Sequence, residues 1–128
     1  MFGLLKKKGP APESKIKTIR SSEEFSDLLE HSRTEPVVLF KHSAACGTSL
    51  FARREIELLD APTDPPVYEV VVQQSRALSN QIAEEFGIRH ESPQAIIVQE
   101  GKPVWSDSHG RVTRESVRSA VGKDHSMP

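Results

Sequence analysis

A chain of 128 residues, 27% charged and 36% hydrophobic, is long enough to bury one core and too apolar for a disordered segment. Its formal net charge of −1 gives no general attraction to nucleic acid or to an anionic membrane, and no stretch approaches the ~18 consecutive apolar residues of a membrane span. Cys46 is the only cysteine and cannot close an internal disulfide, so nothing in the composition calls for an oxidising compartment. At the N-terminus Lys6-Lys7-Lys8 follow the apolar residues Phe2, Leu4 and Leu5, the reverse of a secretory signal. These features lead to the expectation of a cytoplasmic protein, monomeric by default, with no nucleic-acid or membrane partner.

Residues 1–14 read as a flexible basic tail, residues 15–122 as one domain and residues 123–128 as a loose C-terminal end. Ile16 to Ile19 can form a short strand. Ser21 and Glu24 fit a capping box for a helix over about 22–31, with Phe25, Leu28 and Leu29 at helical spacing. Pro36 leads into the apolar strand Val37–Phe40. A helix from about Cys46 to Leu59 follows, closed by the proline-rich loop 60–66. Val67–Val72 is β-branched and nearly all apolar, the clearest strand of the chain. Arg76–Phe86 is helical and Gly87 suits its C-cap. Gln94–Val98 and a return strand beginning at Val104-Trp105 form a hairpin around Glu100-Gly101-Lys102-Pro103. Ser106 to Gly110 read as a polar loop, and Thr113 as the N-cap of a last helix. The order β-α-β-α-β-α-β-β-α predicts an α/β protein, a mixed central sheet flanked by helices.

Cys46 stands where the strand Val37–Phe40 has ended and the next helix begins. Free N–H groups and the positive end of the helix dipole favour an anion there. A cysteine so placed can have its pKa lowered from about 8.5 into the range of roughly 3.5–7.5.

The element order and the cysteine position are those of the thioredoxin fold. More specifically, the chain resembles the YtxJ-like family, the monothiol bacilliredoxins of bacteria that use bacillithiol. Four stretches carry the resemblance: Phe40-Lys41-His42-Ser43 with Cys46; Phe86-Gly87-Ile88 with His90; Ser92-Pro93-Gln94; and Gly101-Lys102 with Trp105, Ser108 and His109. One position departs from the family pattern. Cys46 is followed by Gly47 where the family carries proline, so that Cys46-Gly47-Thr48-Ser49 is similar to the Cys-Gly-Phe-Ser of monothiol glutaredoxins.

The resemblance implies thiol-disulfide exchange through Cys46. No cofactor is expected to be tightly bound; a low-molecular-weight thiol such as bacillithiol is the co-substrate, and S-thiolated client proteins are the partners. A Cys-x-x-Cys enzyme closes its own disulfide, but here the fourth position is Ser49, so the Cys46 adduct needs an outside thiol. Lys41, His42, Ser43 and Ser49 are candidates for supporting the thiolate, through positive charge or hydrogen bonds. Ser92 and Pro93 are candidates for meeting the substrate, with Pro93 expected in the cis form by the resemblance. Trp105, Ser108 and His109 are candidates for holding the small thiol. The N-terminus of the last helix suits a carboxylate, and bacillithiol carries a malate group. Two other classes stay open. Cys46-Gly47-Thr48-Ser49 is compatible with an iron–sulfur cluster carrier, and the fold alone with a non-catalytic binding module. No metal site is expected, because the histidines show no paired ligand spacing.

Overall fold

The computed structural model describes residues 15–122. The expectations for the tail 1–14 and the end 123–128 lie outside the described residues. Five strands form one sheet: β1 (Ile16–Thr18), β2 (Val37–His42), β3 (Val67–Val71), β4 (Gln94–Gln99) and β5 (Lys102–Ser108), in the spatial order β1-β3-β2-β4-β5. β1, β3 and β2 run parallel, β4 is antiparallel to β2, and β5 is antiparallel to β4. The helices are α1 (Ser22–His31), α2 (Gly47–Glu57), α3 (Arg76–Phe86) and α4 (Arg114–Val121), with a 3-10 turn at His109–Arg111.

β2 is buried along its whole length, so both of its faces must be covered. Alternation divides them. Val38 and Phe40 face one side and pack with Ala52 and Ile56 of α2 and Val117 and Ala120 of α4. Val37 and Leu39 face the other and pack with Phe25 and Leu28 of α1 and Leu78 and Ile82 of α3. The helices lie on both faces of a mixed sheet, as the element order requires.

The helix boundaries follow local chemistry. The Ser21 side chain accepts from the Glu24 N–H at 3.1 Å, while the Glu24 carboxylate takes the Arg20 N–H rather than that of the cap residue. Thr113 and Ser116 close a reciprocal capping box at α4. Gly87 ends α3 at φ 65°, a left-handed conformation that glycine adopts without a Cβ penalty.

Several boundaries differ from the sequence reading. β2 runs past Phe40 to His42, so Lys41 and His42 are strand residues, and α2 spans Gly47–Glu57 rather than reaching Leu59. β1 stops at Thr18, leaving Ile19 as a buried plug. β5 runs from Lys102 to Ser108, so Ser106, Asp107 and Ser108 are strand residues and only residues 109–111 turn. β5 is an edge strand, where polar side chains on the open side cost little and obscure the strand pattern.

Candidate active site around Cys46

The register places the candidate residues relative to one another. Lys41 of β2 pairs with Gln94 of β4, and Gln94 pairs with Ser108 of β5. The loop leaving β2 toward Cys46, the Ser92-Pro93 turn entering β4 and the turn at His109 leaving β5 therefore share one end of the sheet. The turn at residues 109–111 also packs against α2.

Cys46 is the N-cap of α2, with extended backbone at φ −109° and ψ 126°. It is half-buried and unpaired. The N–H groups of Ser49 and Thr48, followed by the Thr48 hydroxyl, favour its thiolate and hold the thiol pKa below the ordinary value. The Sγ makes no cap hydrogen bond of full geometry.

Neither Lys41 nor His42 contributes to that shift. Strand alternation sends the two to opposite faces. Lys41 is fully buried beneath α3; its Nζ donates to the Ser79 carbonyl at 2.9 Å and lies 3.3 Å from His90 Nδ1. His42 turns toward α2, with its ring stacked on Phe40 at 5.8 Å. Its Nδ1 is buried without a hydrogen-bond partner among the described residues. Burial lowers the His42 pKa, Glu69 opposes this, Arg53 adds to it, and the Ser49 backbone opposes it. At neutral pH His42 is therefore an uncharged ring packed under the helix.

Ser43 and Ser49 act on the backbone. The Ser43 N–H donates to Ser49 Oγ at 3.1 Å, tying the loop before Cys46 to the helix after it. Ser49 is fully buried at the position where a dithiol enzyme carries its second cysteine. Gln73, just past β3, was not singled out by the sequence pattern. Its Nε2 donates to Ser43 Oγ at 2.8 Å and its Oε1 accepts from the Ala44 N–H at 3.2 Å. Thr48 was missed as well, although any hydroxyl in the first turn after a helix-capping cysteine is a candidate donor.

The Ser92-Pro93 bond is cis. The Pro93 carbonyl accepts from the His109 N–H at 2.9 Å, and His109 Nε2 lies 2.9 Å from Glu91 Oε1. Ser92, Pro93, Ser108 and His109 thus form one cluster, with Glu91 as a member that the sequence reading lacked. Trp105 stands apart from it. It pairs with Ile97, three residues back along the sheet from the Gln94–Ser108 pair, about 10 Å away at ~3.3 Å per residue, and packs on the core beneath α2 and α4. Two of the first-turn amides of α4 are also already taken. The Arg114 N–H donates to Glu55 Oε1 at 2.9 Å, and Thr113 Oγ1 accepts from the Ser116 N–H at 3.0 Å.

Leu50 and Phe51, on α2 just after the first turn, are 51% and 63% exposed. A groove lined by Ile16, Ile56, Leu59, Pro65, Pro66 and Val67 lies at the other end of the sheet, where β2 and β3 begin, and plays no part in the thiol site. Among the described residues no group of three or more His, Cys, Asp or Glu could hold a metal ion, and no helix is long and apolar enough to cross a membrane.

A thiol at the N-cap of the helix after a central strand, a cis-proline turn at the same sheet end and a serine in place of a second cysteine define a monothiol protein of the thioredoxin fold. Solved structures agree on the fold. A structure provisionally described as an oxidoreductase with a thioredoxin fold is 31% identical at a TM-score of 0.76, over 82% of this chain and 92% of its own. A thioredoxin of Malassezia sympodialis is 21% identical at 0.68, over 91% and 96%. A variant thioredoxin of Halobacterium salinarum is 18% identical at 0.66, over 91% and 99%. Residues 17–117 match the family of the monothiol bacilliredoxin BrxC, and the chain belongs to that family.

Proposed function

We propose that this protein removes a low-molecular-weight thiol, bacillithiol by the family resemblance, from mixed disulfides on client proteins. The observation that carries the reading is Cys46 at the α2 N-cap, with its pKa lowered by the Ser49 and Thr48 amides and Ser49 where a resolving cysteine would stand.

The Cys46 thiolate attacks the small-thiol sulfur of the client disulfide. The client S–S bond breaks, the client leaves as a thiolate, and a new S–S bond joins the small thiol to Cys46. The amide donors that stabilise the Cys46 thiolate make it available at neutral pH. The Ser49 hydroxyl cannot displace the adduct, so a second small-thiol anion attacks it. That step releases the symmetrical small-molecule disulfide and regenerates the Cys46 thiolate. Electrons balance across the two exchanges: the client cysteine is reduced from disulfide to thiol, one free small thiol is consumed, and it leaves joined to the small thiol removed from the client as their disulfide.

Exposed Leu50 and Phe51 beside the thiol suit a protein-sized substrate. A carboxylate-bearing small thiol is assigned to the Ser108-His109 side, because Glu55 and Thr113 already take the Arg114 and Ser116 amides at the α4 N-terminus.

The test is release of client thiol from a bacillithiol-capped protein, run beside a glutathione-capped control. Native protein is expected to release it and Cys46→Ser to be inactive. Full release by Cys46→Ser, or none by folded, reduced native protein with either client, would overturn the reading.

A further inference from the structure

Lys41 and His90 both belong to the stretches that carry the family resemblance, yet neither touches the thiol. Lys41 is fully buried, and an ammonium taken out of water is costly unless it is paired or hydrogen-bonded. Its hydrogen-bond partners are not carboxylates. They are the Ser79 carbonyl of α3 at 2.9 Å and His90 Nδ1 at 3.3 Å, and Ser79 Oγ lies 3.3 Å from the same ring nitrogen. The other charges acting on His90 are Glu91 and Arg76.

Lys41 is also the direct cross-strand partner of Gln94, the residue after Pro93. The Gln94 Nε2 donates to the Arg89 carbonyl at 3.0 Å, and its Oε1 is buried without a partner among the described residues. Residues 89 and 90, just ahead of Ser92-Pro93, are thus fixed from inside the protein. Glu91 and the Pro93 carbonyl are fixed from outside, by His109. Between these anchors, the Ser92 backbone makes no hydrogen bond to the described residues.

We infer that Lys41 is a positioning residue for the Ser92-Pro93 turn: acting through His90, it sets where the Ser92 backbone meets the disulfide of an incoming client. The inference rests on the exchange reading above and adds to it the alignment of the substrate. Burial lowers the Lys41 pKa to about 8, which leaves the amine mostly protonated at neutral pH. Burial and then the Lys41 charge lower that of His90, which keeps its ring neutral and able to accept at Nδ1.

The test compares Lys41→Met, His90→Ala and His90→Gln with the native chain. It measures KM for a thiol-capped client and the rate of Cys46 alkylation. Loss of the anchor is expected to raise KM about tenfold in Lys41→Met and His90→Ala, since small misplacements of reacting groups are costly. Alkylation should stay within about twofold of native, because the thiol itself is untouched. His90→Gln, whose Oε1 can accept from Lys41, should recover most of the loss. Nitrogen NMR of the native protein should find neutral His90 protonated at Nε2 alone. Unchanged KM in folded Lys41→Met and His90→Ala, or a His90 protonated at Nδ1, would overturn the inference. If the native protein transfers no thiol, the exchange reading fails, and the His90 tautomer still decides whether the anchor exists.

Discussion

The Ser43 amide and the Ser49 side-chain oxygen are 3.1 Å apart, and this hydrogen bond closes the loop that carries Cys46 onto the first turn of α2. The same first turn supplies the amides that favour the thiolate. Holding the loop and activating the sulfur are therefore coupled.

Ser49→Ala should break that closure. The lost hydrogen bond corresponds to about 1 kcal/mol of stability, measurable by urea unfolding, and the Ser43 amide should exchange faster with solvent. Ser49→Cys tests the monothiol logic instead. The new thiol lies in the Cys-x-x-Cys relation to Cys46, so the small-thiol adduct should be displaced internally and fail to accumulate. A long-lived adduct in that variant would argue against Ser49 being what keeps the chemistry monothiol.

The rate of Cys46 alkylation should follow the thiolate fraction, with a midpoint below that of an ordinary thiol. A depressed thiol pKa means that the stability contributed by the thiolate is present above the unfolded-state value and is lost as pH falls through the folded one. Thr48→Val removes only the smallest of the favourable contributions. Its midpoint should rise slightly, and a return to the value of an unfolded peptide would contradict the dominance of the backbone amides.

Gln73→Ala should free Ser43 and Ala44 together, because one amide side chain serves both. The site is exposed, so the stability loss should be small, about 0.5–1 kcal/mol. The clearer signal is faster hydrogen exchange at Ala44 with the core amides of β2 unchanged.

A buried histidine, His42, and a half-buried one, His90, give the fold an acid-sensitive side. Burial is the main cause that lowers the pKa of His42 and of His90 below the usual 6.5. Between each folded value and 6.5 the unfolded chain binds more protons, so stability falls as pH falls through that window. Lys41 acts in the same direction at alkaline pH: with a folded pKa of about 8 against 10.5, its contribution to stability grows as pH rises between the two. Urea midpoints should drop from pH 7.5 to pH 5.5, and His42→Asn should reduce the drop. An unchanged drop in that variant would remove His42 from the account.

Glu69 is a carboxylate of β3 under α2, with only 5% of its side chain exposed, and it accepts from Arg53 Nε at 2.6 Å. Arg53→Ala leaves that carboxylate buried without its cation and should cost about 3 kcal/mol, whereas replacing both residues with leucine should cost much less. Thermal unfolding of the single and double variants separates the two outcomes.

Much of this was legible in the sequence where a residue type leaves few choices. Gly87 fixed the end of α3, Thr113 the start of α4, and the strand-to-helix switch placed Cys46 at a cap. The order of elements led to the thioredoxin fold, and the resemblance led to the cis form of Pro93. The neighbours of the thiol were harder. Lys41 and His42 both precede Cys46 closely, but a strand carries adjacent side chains to opposite faces, so they could not share one role. Trp105 is read toward the small thiol from the resemblance, which assigns the stretch before the last helix to that role; as part of an edge strand paired with Ile97, it is carried back to the core. Gln73 and Glu91 reach the site only through the parallel crossover and the hairpin, and no local pattern marks them.

The most direct measurement is the intact mass of the protein itself during exchange with a bacillithiol-capped client. The account predicts a transient gain equal to the small thiol, located on Cys46 and absent in Cys46→Ser, that rises as the client thiol is released and decays when free bacillithiol is added. A folded, reduced protein that never gains that mass while the client is released, or that gains the mass of the whole client, would contradict transfer of the small thiol to Cys46.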